Sequence, residues 1–327
     1  MAHPRLSGAV GLFDRTRPLL DGRVAVEGFE IDWTSGELES LFSRAFETAE
    51  FDITELSFCN YLIATARGGS PYVALPIFPT RVFRHHGYFV NAAAGVSHPK
   101  QLEGRRVGTR EFTNTASLVM RGVLSDYYGV DLRSIRWTVG DIDATERASV
   151  RLPTLPGGWS VDTAGGELLA DRLAEGKLDA LTAYAPPRTF DHRRVTRLFP
   201  RWWEEEQRFW RDTGVFPIMH VMVVRRSTLA EHPGLAMALV QAFARARDLT
   251  LEELAIEQAP KTMLPWVTGH LAQTRELMGE RFWPYGVVPN RRTLEAQLRW
   301  AREQDLIASP MTLEAFFAEG MSDLPEV

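Results

Sequence analysis

The chain has 327 residues, 45% of them hydrophobic and 24% charged, with a formal net charge of −5. That length is more than one hydrophobic core usually serves and predicts two domains, and the composition is that of an ordinary globular protein. The acidic balance excludes a nucleic-acid binder, which needs a basic face, and no run reaches the ~18 apolar residues of a membrane span.

A single cysteine, Cys59, excludes an internal disulfide and a cysteine-based zinc site. Its neighbours Leu56, Phe58, Tyr61 and Leu62 predict a buried, inert thiol. The opening MAHPRLSGAVGLFDRTRP has a short apolar run broken by charges, unlike a secretory leader, so the expected location is the cytoplasm.

In chain order, Leu6 to Phe13 reads as a short buried strand, followed by the polar loop Asp14-Arg15-Thr16-Arg17-Pro18. Loops at the carboxyl ends of strands are where open α/β sheets bind ligands; a capped turn is the plainer alternative. Val24 to Trp33 gives a turn and a second strand. Leu38 to Ala49 reads as a helix with Leu38, Leu41, Phe42, Ala45 and Phe46 on one face. Phe51 to Leu56 is a third strand, and Ser57 is placed to cap the helix Phe58 to Ala66. Glu55 then stands at the same rim as Arg15. Tyr72 to Ile77 is a fourth strand.

It leads into FPTRVFRHHGYFV, Phe78 to Val90, where Arg81, Arg84, His85 and His86 are set among apolar residues. Charges in such surroundings are costly to bury without a partner. A paired Arg-His group beside a strand suggests a pocket for an anion, since the guanidinium fork matches a carboxylate.

A new unit opens near Ser97 with a short helix, a turn and a strand ending at Gly108. The stretch GTREFTNTAS, residues 108–117, is rich in hydroxyls and amides and precedes the helix Ala116 to Tyr128. Free N–H groups and the positive helix end favour an anion there, with Arg110 and Thr115 at hand; ordinary capping is the alternative. Ile135 to Val139 reads as a strand, Asp141 to Val161 as a loop, Glu167 to Glu175 as a helix closed by Gly176, and Leu178 to Tyr184 as a strand. Trp202 to Trp210 reads as helix packing. His220 lies in the apolar run entering the strand Val221 to Val224, where it is either a core histidine or a site residue. Leu229 to Glu253, Pro265 to Gly279 and Thr293 to Gln304 read as helices, with a loop from Phe282 to Pro289.

Strand–helix alternation, an inserted α/β unit and a return to the first unit near residue 215 describe two lobes, residues 1–94 with 215–327 and residues 95–214. The phrases HPKQLEGRRVG and LAEGKLDAL resemble those of solute-binding lobes. They imply a two-lobed type II periplasmic-binding-protein-like fold of the α/β class, a ligand cleft between the lobes, and C-terminal helices packed on the first. The segments LFDRTRPLLDGRV, FDITELSFCNYLIA, LPIFPTRVFRHHGYFVN, RRVGTREFTNTASLVMRGVL, FWRDTGVFPIMHVMVV and FWPYGVVPNRRTLEA resemble the 4,5-dihydroxyphthalate decarboxylase family over almost the whole chain.

That resemblance implies an aromatic-acid carboxy-lyase. The reaction needs a held carboxylate, a sink for electrons and a proton for the ring carbon. Arg15, Arg81, Arg84 and Arg110 are the candidate clamps, and Thr16, Ser57 and Thr115 candidate hydrogen-bonders. His220 and His85 are candidate proton donors, with Glu55 to orient one of them. A ring hydroxyl can carry the electrons, so no cofactor is expected; a divalent metal on His85, His86, His220 and Glu55 is the alternative, without HExxH-like spacing to support it. The expected partner is a small aromatic carboxylate, with no nucleic acid or membrane, and the apolar C-terminal helices and Trp-rich segments point to a homo-oligomer. A non-catalytic binding protein for a small carboxylate, or another lyase on the same fold resembling those of the menaquinone pathway, are the competing readings.

Overall fold

The computed structural model describes residues 3–144, 158–308, 311–325 and 327. The chain opens with β1 (Arg5–Ala9), the single turn α1 (Arg17–Leu20), β2 (Glu30–Thr34), α2 (Leu38–Thr48), β3 (Ile53–Ser57), α3 (Phe58–Ala66), β4 (Tyr72–Ala74) and the two-residue β5 (Thr80–Arg81). It continues through β6 (Tyr88–Asn91), β7 (Arg106–Thr109), α4 (Thr115–Asp126), β8 (Arg136–Val139), β9 (Ser160–Thr163), α5 (Leu169–Ala174), β10 (Ala180–Thr182), β11 (Val195–Arg197) and α6 (Trp202–Thr213). The remainder is β12 (Ile218–Arg225), α7 (Arg226–Glu231), α8 (Leu235–Leu254), α9 (Val267–Met278) and α10 (Arg291–Glu303). Among the described residues no helix is long and apolar enough to cross a membrane.

The chain divides into two compact units, one of Met1–Arg81, Ile218–Glu295 and Ser309–Val327, the other of Val82–Pro217 and Ala296–Ala308. The expected boundary at residues 94/95 therefore falls earlier, at 81/82. The reason is β6, which is hydrogen-bonded between β10 and β11 in the second sheet rather than in the first. The last helix is also shared: its residues from 296 on group with the second unit, where Trp300 Nε1 donates to Asp126 and Gln304 Nε2 to the Leu118 carbonyl. The other C-terminal helices, α7 to α9, lie in the first unit.

The first unit is built on a sheet ordered β2-β1-β3-β12-β4, with β5 on β12. β1, β2 and β3 run parallel, and β12 runs against β3, β4 and β5. β3 and β12 are central and almost wholly buried; IMHVMVVR reads as an apolar run carrying two polar residues, while ITELS buries Thr54, Glu55 and Ser57 along with Ile53 and Leu56. Leu41 and Ala45 of α2 and Phe58, Tyr61 and Leu62 of α3 are buried in the core, and Cys59 is buried and free. Phe46, expected on the buried face of α2, is exposed.

The second unit has the order β11-β6-β10-β7-β8-β9, parallel from β10 to β9 and antiparallel at the other edge. β9 corrects the reading of Asp141 to Val161 as loop throughout; residues 145–157 of that stretch lie outside the described residues. The helix expected over Leu229 to Glu253 is two, because His232-Pro233-Gly234 ends α7 before α8 begins.

Candidate active site

Glu55 is the centre of the first unit's site. It is the third residue of β3 and its side chain is 1% exposed. One oxygen, Oε2, accepts from the Gly11 N–H at 2.9 Å. The other accepts from the Thr80 hydroxyl at 2.9 Å and lies 2.6 Å from Nδ1 of His220. Burial alone would raise this carboxyl. The hydrogen bond and charge of His220, with the Gly11 N–H and Thr80 hydroxyl, outweigh it and hold Glu55 below its ordinary value. An ionised carboxylate only accepts, so Nδ1 carries the hydrogen and Nε2 is the nitrogen left for a ligand. The His220 side chain is 16% exposed, and Phe42 stands edge-on to its ring at 5.0 Å.

Pairing places these groups. His220 lies opposite Ser57 on β3 and opposite Thr80 on β5, while Ile218 lies opposite Arg81. The register shifts between Ile218 and His220, so Met219 is the extra residue of a bulge, a device that re-aims a neighbouring side chain. Because β12 is antiparallel to β3, its start and the end of β3 share one rim.

Arg15 meets the same rim. Its Nε donates to the Pro79 carbonyl, and its guanidinium lies 4.4 Å from the Phe13 ring centre and 4.5 Å from that of Trp283. Arg81 is buried, and its Nη1 donates to Asn290 Oδ1 at 2.8 Å. Burial pulls its guanidinium down to about 9, against the opposing influence of Tyr285, so it stays charged at neutral pH. Pro79-Thr80-Arg81 thus touches Arg15, Glu55, His220 and Asn290 within three residues.

Two first-unit candidates take other roles. The Thr16 hydroxyl donates to the Gly11 carbonyl at 2.6 Å and accepts from the Phe13 N–H at 2.9 Å, so it closes the loop rather than facing a ligand. Ser57 occupies the N-cap position of α3 and is buried, but its side chain makes no capping bond.

The second unit holds the remaining candidates. Arg84 lies 5.8 Å from the Tyr184 ring centre, and burial lowers its guanidinium to about 10, opposed first by Tyr184. His85 departs from the role expected of it. It is buried against the rings of Tyr128, Phe199 and Phe209, and neither ring nitrogen has a partner among the described residues. Burial, then the neighbouring His86, lowers it to about 3, so it is neutral near pH 7 and is not a ready proton donor. His86 Nδ1 lies 3.0 Å from an oxygen of Glu206. Arg110, in the loop before α4, and Thr115, the first residue of α4, are both buried. The cap of α4 is Asn114, which accepts from Ser117 N–H at 2.8 Å and bonds the Tyr184 hydroxyl. Among the described residues no three of His, Cys, Asp or Glu converge as a metal site; the histidines of the proposed set take Glu55, Glu206 or aromatic neighbours instead.

No family model matches the chain. A 4,5-dihydroxyphthalate decarboxylase of Comamonas testosteroni is 37% identical over 300 residues, 90% of this chain and 90% of that protein. A second, from Pseudomonas putida, is 36% identical over 197 residues, 59% of this chain and 76% of its own length. The chain belongs to the 4,5-dihydroxyphthalate decarboxylase family. Its fold is that of periplasmic binding proteins: the aliphatic sulphonate binding protein SsuA of Escherichia coli matches 98% of the chain and 99% of its own with a TM-score of 0.53, at 11% identity, a likeness of fold alone.

On one rim of its sheet the first unit brings together Glu55, Thr80, His220, Arg15 and Arg81. Sequence reasoning missed Asn290 and Tyr285, both buried, because the stretch after α9 reads as an ordinary loop. The signal was present: FWPYGVVPN is too apolar for a solvated loop, and it sits within one of the family-like segments.

Proposed function

We propose that this chain is a carboxy-lyase that converts 4,5-dihydroxyphthalate to 3,4-dihydroxybenzoate and CO2. One observation carries the residue assignment: a Glu55–His220 pair, its carboxylate buried, lies at the rim that Arg15 and Arg81 also reach. The guanidinium groups of Arg15 and Arg81 hold the carboxylate that remains. A clamp on the departing one would stabilise the ground state as much as the transition state.

His220 Nε2, in its protonated state, delivers a proton to the ring carbon bearing the leaving carboxylate. Electron density from the hydroxyl para to that carbon supports the new C–H bond, giving a dienone-like intermediate. The C–C bond then breaks, its electron pair restores the aromatic ring and CO2 departs. One proton is consumed per turnover: the dianion plus a proton gives the hydroxybenzoate monoanion and CO2. Glu55 holds the ring of His220 through Nδ1 in both protonation states, and contributes orientation rather than a proton.

Incubation with 4,5-dihydroxyphthalate, following CO2 and 3,4-dihydroxybenzoate, tests the activity. In D2O the product is expected to carry one carbon-bound deuterium at the vacated position. His220→Ala is expected to lower kcat by roughly 10²–10⁴-fold, the usual worth of a general acid, with a smaller change in KM. Turnover unchanged in His220→Ala overturns the assignment of the acid, and no turnover by the unaltered chain overturns the activity.

A further inference from the structure

The first unit buries a phenol that the reaction scheme above does not use. Tyr285 is fully buried, and its hydroxyl has no hydrogen-bond partner among the described residues. A buried hydroxyl without a partner ordinarily costs about 1–3 kcal/mol, and native proteins rarely leave one so without a functional reason.

Its surroundings are built rather than accidental. Arg247 lies 5.0 Å from the centre of its ring and is itself fixed by the carbonyls of Trp283 and Val327. On the other side of the loop, Asn290 Nδ2 donates to the carbonyls of Pro284 at 2.9 Å and Gly286 at 2.8 Å, the two residues that flank Tyr285. The same Asn290 accepts from Arg81 through Oδ1. The Gly286 N–H donates to the Pro76 carbonyl at 2.9 Å, anchoring the loop to the strand-bearing side of the unit. One amide therefore ties the position of Tyr285 to that of the Arg81 guanidinium. The phenol also lies in the electrostatic field of Arg15, Arg81 and Glu55, three groups drawn from three separate segments of the site.

We infer that Tyr285 is a further substrate-binding residue, whose O–H donates a hydrogen bond to an oxygen of the carboxylate held by Arg15 and Arg81. This rests on the decarboxylase reading for the nature of the ligand. Burial pushes the phenol up to about 12, against the influence of Arg15, Arg247 and Arg81, so it keeps its hydrogen and remains a donor across the working range. A neutral donor completes what two cations begin: it fixes the plane of the carboxylate without adding charge. A phenol set in place by packing also loses little freedom when it binds.

The test is Tyr285→Phe, which removes one oxygen and leaves the ring packing in place. Among the described residues the hydroxyl has no hydrogen-bond partner to lose, so the melting temperature of the free protein is expected to stay the same or rise slightly. KM for 4,5-dihydroxyphthalate is expected to rise roughly 10–100-fold, the range for a hydrogen bond to a charged group, with kcat changed less. The dissociation constant for phthalate, a diacid without ring hydroxyls, is expected to rise by the same factor in calorimetry. An unchanged KM together with an unchanged phthalate affinity in a stably folded Tyr285→Phe overturns the inference. A large fall in kcat with KM unchanged also overturns it, since that places the phenol in the chemical step. Absence of turnover by the unaltered chain bears on the decarboxylase reading instead, and the phthalate measurement then still decides the role of Tyr285.

Discussion

Glu55 and His85 show how the same degree of burial has opposite results for two ionisable groups. Glu55 receives hydrogen bonds from Gly11, Thr80 and His220 and stays ionised. His85 receives none among the described residues and stays neutral. Their effects on stability differ in window. Unfolded His85, at its ordinary 6.5, binds a proton that the folded side chain refuses until about 3. Folding is therefore opposed progressively as pH falls below 6.5. The folded carboxyl of Glu55 titrates below its ordinary 4.5, so its stabilising pairing is present above 4.5 and is lost only as pH falls further. Between pH 6.5 and 4.5 the histidine dominates this pair, by about 2 kcal/mol on the usual conversion of proton binding to free energy. In His85→Leu, denaturant unfolding measured at those two pH values is expected to show a pH dependence smaller by about that amount. Turnover near neutral pH is expected to persist in the same variant, because His85 has no part in the chemistry proposed.

At the level of elements, the sequence made the strands and helices legible and the loops much less so. The helix Phe58–Ala66 follows from its pattern to the residue, and β3, β8 and β12 from their apolar runs. Glu55 was visible as a carboxylate at a strand's end, and His220 as a histidine inside an apolar run, either core or site. Which of the two histidines Glu55 orients was not visible, since the pairing of β3 with β12 joins residues 165 positions apart. FPTRVFRHHGYFV read as one basic cluster, yet Arg81 belongs to one sheet and β6 to the other. Local sequence cannot show that Arg81 is bound by Asn290, 209 positions away. The loop carrying Tyr285 illustrates the same blindness. Gly286 has φ +100, which side chains rarely adopt, and an added Cβ would lie 2.5 Å from the Pro325 carbonyl oxygen. Gly286→Ala is expected to cost on the order of 1–3 kcal/mol in stability, measured by denaturant unfolding. By shifting Tyr285 it is also expected to raise KM, so that a lost melting temperature accompanies lost affinity, unlike the pattern for Tyr285→Phe.

Over the whole molecule, a net charge of −5 opposes the approach of a dianion, so attraction has to come from where the arginines are placed rather than from the total. A ligand that binds only the folded chain also stabilises it. Phthalate at a hundred times its dissociation constant is expected to add about 2.7 kcal/mol to unfolding, seen as a rise in melting temperature. In Arg81→Ala that rise is expected to fall by about half or more at the same phthalate concentration, through loss of one fork of the proposed clamp; an undiminished rise removes Arg81 from the site. The chain leaves the first unit at Arg81 and re-enters it at Ile218, and these two residues are partners in a single antiparallel pair. A segment whose ends are neighbours imposes no span on its host. Over descent it can be lengthened, shortened or exchanged while Glu55, Thr80 and His220 keep their register. The Glu55–His220 pair and the inserted segment are then separately heritable, one fixed by strand pairing and the other open to replacement as a block.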